Sequence, residues 1–85
     1  MSYTYMAKIT STIDYDVEKS RVIIRRVNDT HILERYYINT KTWVRDYELS
    51  RMYYGGFEVE DITEEKAMEL ISKLKRKLEL VRSQI

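Results

Sequence analysis

Residues 63–85, TEEKAMELISKLKRKLELVRSQI, hold the clearest periodicity in the chain. Ala67, Ile71, Leu74, Leu78, Val81 and Ile85 recur at alternating intervals of four and three. At about 100° per residue, that spacing places all six on one narrow stripe of an α-helix. Leu70 widens the stripe on one side. Thr63 can cap the first turn, Ile62 before it can act as a hydrophobic staple, and Glu64 and Glu65 sit where the helix dipole favours negative charge. No helix breaker interrupts the run, so a long helix is expected over 63–84.

The stripe has to be covered, and two covers fit its spacing. A helix lying on a sheet buries such a stripe in a core, which is the commoner use. A four-three repeat over nearly three heptads is also what a coiled-coil seam requires, so Ile71, Leu74, Leu78, Val81 and Ile85 form a candidate homodimer seam. Leu80 falls nearly opposite the stripe. Charge divides along the helix: Glu60 to Glu69 holds five acids and one lysine, whereas Leu70 to Ile85 holds five bases and one acid. That polarity complements the macrodipole and keeps the outer face solvated, and the Glu69/Lys73 pair has the favoured i,i+4 order.

Upstream, residues 3–13 alternate, with Tyr3, Tyr5, Ala7, Ile9, Ser11 and Ile13 on one side, as a half-buried strand does. A polar turn over 14–20 leads to a β-branched strand over 21–27, and Asn28-Asp29-Thr30 turns the chain into a third strand over 31–38. That strand carries apolar groups on both parities, as expected where both faces are partly covered. A turn at 39–42 gives a short fourth strand over 43–45. Asp46 then caps a short helix over 46–54, Gly55-Gly56 stops it, and Phe57 and Val59 enter the core on a short extended link. The expected architecture is α+β: a meander of three or four antiparallel strands covered on one face by the long helix. Residues 1–85 form a single domain, with no repeat or low-complexity segment dividing it.

Eighty-five residues allow one modest core. The chain has no cysteine, which removes disulfides and thiolate chemistry and suits the cytoplasm. No apolar run approaches the length of a membrane span, so no membrane partner is expected. A net charge of +1 provides no long-range field.

No catalytic pattern emerges. His31 is the only histidine and stands at a turn-to-strand boundary, where it is ordinarily solvated. Asp14-x-Asp16-x-Glu18 begins like a calcium loop, but the loop has no glycine and Arg25 occupies the place of the bidentate glutamate. No metal, cofactor or enzymatic activity is expected.

Binding chemistry is better represented. Eight tyrosines, Trp43 and Phe57 exceed what one small core can hide. Trp43, Tyr47, Tyr53 and Tyr54 are therefore the candidate partner-binding residues, the last three expected to stay partly exposed near Gly55-Gly56. Arg21, Arg25, Arg26, Arg35 and Arg45 lie on or beside strands with Tyr36, Tyr37 and Trp43 among them, a combination that contacts phosphates and stacks on bases. A meander followed by glycine, Phe57 and a helix start Ile62-Thr63-Glu64-Glu65-Lys66-Ala67 resembles the sheet-plus-helix domains of plant AP2 factors and of phage integrase arm-binding domains. The resemblance implies a sheet laid in the major groove. This chain departs from those families in lacking their net positive charge, and Asp29, Glu34, Asp46 and Glu48 lie among the same strands.

The expected function is non-enzymatic binding of another protein, or of a second copy of this chain, by an accessory, regulatory or inhibitor protein of the kind found in phages and mobile elements. Nucleic-acid binding through the arginine-bearing sheet is the alternative.

Overall fold

The structure is a computed structural model that describes residues 2–9 and 17–83. Five strands, β1 (Tyr3–Ile9), β2 (Ile23–Val27), β3 (Leu33–Tyr37), β4 (Thr42–Arg45) and β5 (Glu58–Ile62), form one antiparallel sheet in the order β4-β3-β2-β1-β5. A 3-10 helix, Tyr47–Tyr54, connects β4 to β5, and the long helix α1 spans Glu64–Ser83. The meander and the long helix match expectation. The end of the first expected strand (10–13), the calcium-like Asp14 and Asp16, and Ile85 lie outside the described residues.

The fifth strand is the departure. The segment expected to be a short extended link pairs along the free side of β1, with Tyr5 opposite Ile62 and Lys8 opposite Val59. Only Val59 and Ile62 among its five side chains are partly buried, and they fall on opposite parities with acids on both, so the segment carries no strand-like alternation of its own. Pairing with β1 supplies what the local sequence does not.

Because every neighbouring pair is antiparallel, β4 and β5 run in the same direction at opposite edges of the sheet. The connection between them must therefore cross a face. The 3-10 helix makes that crossing over the face that bears Met6, Ile24 and Leu33, and inserts Leu49 among them, with Met52, Phe57 and Val59 at the margin. An eight-residue segment advances about 16 Å at roughly 2.0 Å per residue in a 3-10 helix, against about 12 Å in an α-helix. The tighter winding also explains which side chains it buries. With three residues per turn, Leu49 and Met52 share a face, while Tyr53, which an α-helix would have placed beside Leu49, rotates toward solvent. Both expected caps are present. The Asp46 carboxylate accepts the Glu48 amide at 3.0 Å, and Gly55 takes the left-handed conformation at φ 77°.

The opposite face bears Tyr5, Ala7 and Ile23, on which α1 lays Ala67, Leu70 and Ile71. Ala7 against Ala67 lets the helix approach the sheet closely. The Thr63 hydroxyl accepts the Lys66 amide at 3.0 Å, which is the expected N-cap. The sheet thus separates two small cores, and successive residues serve opposite sides: Ile23 faces α1 while Ile24 faces the crossover helix, both fully buried.

Only the first half of α1 lies on the sheet. Ala67, Leu70 and Ile71 are buried, Leu74 packs against their margin, and Leu78 is half-buried. Leu80 and Val81 are 63% and 58% exposed. Ile71 is therefore core, Leu74 its margin, and the candidate seam becomes progressively more exposed through Leu78 and Val81.

Replacing Ile24 with alanine is expected to lower unfolding stability by about 3 kcal/mol through the cavity it leaves. Gly55→Ala is expected to cost about 1 kcal/mol from the left-handed backbone alone. Urea titration followed by circular dichroism checks both.

Candidate functional site

On the α1 face, cross-strand neighbours stack Tyr5, Arg25, Glu34 and Arg45 in one row and Tyr36 with Trp43 in the next. The Arg25 guanidinium lies 4.1 Å from the centroid of the Tyr3 ring and 4.5 Å from that of Trp43. Its Nε donates to Glu34 at 2.6 Å. Trp43 meets Tyr5 and Tyr36 edge-on at centroid distances of 5.9 and 5.2 Å, and Lys75 of α1 reaches over Tyr36 at 5.4 Å. Arg25 and Trp43 are thus engaged with their own chain, closing the side of the first core that α1 does not cover.

Of the other arginines, only Arg45 shares that face of the sheet. Arg26 and Arg35 point to the crossover-helix face, where each Nε is buried without a hydrogen-bond partner among the described residues. Arg21 is exposed in the turn before β2, and Arg45 reaches over the Tyr47 ring at 4.8 Å. Alternation along β2 accounts for the split, since the adjacent Arg25 and Arg26 necessarily face opposite ways. α1 lies on the β1–β2 part of one face, and the crossover helix lies on the other face.

The exposed aromatic groups gather instead on the crossover helix. Tyr47, Tyr53 and Tyr54 are 74%, 40% and 89% exposed. Tyr53 meets His31 edge-on at 5.4 Å, and these two with Ser50 and Tyr54 line a shallow hollow of about 370 Å³. Tyr37 and Val44 are further exposed apolar side chains on the same side of the sheet. The helix that presents the tyrosines is fixed at its start by the Asp46 cap, in its middle by buried Leu49 and at its end by Gly55, so the rings project from a rigid base.

A second cleft of about 340 Å³ lies between this helix and the sheet, where Lys8, Arg35 and Arg51 meet Asp46 and Glu48. Glu48 and Arg51 approach to 3.9 Å, and Lys8 sits over Phe57 at 4.8 Å. Three cationic and two anionic side chains thus line it. Among the described residues, no group of three or more histidines, cysteines, aspartates or glutamates is placed to hold a metal, and no helix is long and apolar enough to cross a membrane.

One functional pairing escaped the sequence reading. Glu18 bridges Lys66 and Lys73 of α1, the second at 2.5 Å, and so fastens one flank of the helix as Lys75 fastens the other. The signal was present: lysines seven apart lie two turns apart on the same flank, opposite an acidic turn.

The chain matches no protein-family model, no curated protein and no solved structure.

Trp43→Ala is expected to destabilise the fold by about 3 kcal/mol, since it removes the ring on which Arg25, Tyr5 and Tyr36 converge. Tyr54→Ala should stay within about 0.5 kcal/mol. Comparing their urea midpoints separates the structural aromatic residues from those held at the surface.

Proposed function

We propose that this chain is a non-enzymatic protein-binding module that uses the tyrosine-bearing crossover helix as its contact surface. The observation that carries the proposal is the exposure of Tyr47, Tyr53 and Tyr54 on one short helix capped at both ends and anchored by Leu49. Tyrosines in that setting bury large area on contact while losing little side-chain freedom, the property that makes them recurrent anchors of protein interfaces. The hollow beside His31 and Tyr53 offers a recess for a partner's side chain. Action by direct contact, as an accessory, regulatory or inhibitor protein, follows from this reading, and the cysteine-free composition supports a cytoplasmic setting.

Nucleic-acid binding is the weaker reading. Its five arginines divide between two faces and a turn, and Arg25 is committed to Glu34 and to two aromatic rings. Phosphate recognition needs several cations converging on one track.

The test is affinity capture with the intact chain against a Tyr47→Ser, Tyr54→Ser double variant, whose fold is checked by circular dichroism. A protein retained by the first is expected to be lost, by tenfold or more in measured affinity, with the second. Equal retention by both removes the tyrosine surface from the proposal. Steeply salt-dependent binding to nucleic acid that weakens in an Arg25→Ala, Arg45→Ala variant would replace the proposal with its alternative.

A further inference from the structure

The exposed end of α1 is a second surface, on the other side of the sheet from the tyrosines, and its chemistry is different. Ion pairs and ring contacts fasten α1 through Lys66, Lys73 and Lys75, all within its first twelve residues, counted from Glu64. Where these contacts end, Leu74, at the core margin, with Leu78, Val81 and, from the outer face, Leu80 line a groove of about 520 Å³ together with Arg21 and Lys77, the two cations of its rim. Neither cation of the rim has a carboxylate partner among the described residues.

We infer that this groove docks an amphipathic helix of another protein that carries acidic residues on both flanks of its apolar stripe. Two features of the page select that occupant. First, Leu74, Leu78 and Val81 continue the four-three spacing that begins in the core, so the open part of α1 offers the apolar positions of a heptad seam to a second helix. Second, the flanks of that seam are basic on both sides: Lys75 on one, and Lys77 with Arg21 beside it on the other. In a helix pair these flanking positions face the partner's equivalents and set its identity. A second copy would bring basic side chains against basic side chains. A helix with glutamate or aspartate at those positions meets the same surface with opposite charge.

The experiment uses the full chain and a labelled synthetic helical peptide with leucine at its seam positions and glutamate at the flanking ones, beside a control peptide with lysine at the flanks, both followed by fluorescence anisotropy. The acidic peptide is expected to bind and the basic one to bind at least about tenfold more weakly. Arg21→Glu with Lys77→Glu should reverse that order. Val81→Asp, at a position open to solvent and so compatible with folding, should weaken the acidic peptide by about tenfold or more. Absence of binding, or equal binding of the two peptides, overturns the inference. So does a dimer in light scattering that Val81→Asp dissolves, which would make a second copy the occupant, or binding to phosphatidylglycerol vesicles without binding to the peptide. None of these outcomes bears on the tyrosine surface, which is read by the Tyr47 and Tyr54 variants alone.

Discussion

The fold depends on one topological constraint: strands adjacent in the chain, β4 and β5, stand at opposite edges of the sheet and run in the same direction. With neighbouring strands about 4.8 Å apart, four spacings put those edges roughly 19 Å from each other. The connection has to travel that distance over one face, and in doing so it becomes the cover of that face. The extended rise of a 3-10 helix lets eight residues make most of the journey, and its threefold winding selects Leu49 and Met52 as the side chains that enter the core. Once the chain has crossed, β5 completes the sheet and delivers Thr63 to the opposite face, where α1 begins.

Two consequences follow for packing. The sheet is buried on both sides near its centre, so three successive residues of β1, Tyr5, Met6 and Ala7, are all buried. Each core is small, and each is closed at its margin by long amphipathic side chains. Arg25 between Tyr3 and Trp43 and Lys75 over Tyr36 use their apolar stems and ring contacts to finish what aliphatic groups leave open. A chain of this length has few other means of extending its core.

The same economy explains where unpartnered surface remains. Aromatic residues on the strands are drawn into the closure of the first core. Those on the crossover helix are left outside, because only one face of a 3-10 helix can meet the sheet. Likewise α1 is longer than the sheet is wide enough to cover, and its stripe runs on past Leu74 into solvent. The two exposed surfaces therefore arise from geometry at opposite sides of the sheet, one rich in tyrosine and one apolar with a basic rim.

The sequence by itself determined the elements with strong local signals. The stripe from Ala67 to Val81, the Thr63 and Asp46 caps, the Gly55 stop and the alternation of β1 are set by interactions within a few residues, which the order of side chains expresses directly. The exposure of Tyr47, Tyr53 and Tyr54 was legible for the same reason, since a helix at a glycine corner leaves one side to solvent. Only the tertiary structure decided the rest. β5 exists because the free side of β1 offers hydrogen-bonding groups to a segment whose own acidic residues do not mark it as a strand. Arg25 and Arg26 face opposite ways by strand alternation, but what each meets there, Glu34 and two aromatic rings or the crossover-helix face, is set by the neighbouring strands. The stripe of α1 is core as far as Leu74 and surface beyond it, because the extent of the sheet beneath a helix is fixed by pairing among distant strands, and no periodicity within the helix records where that support ends.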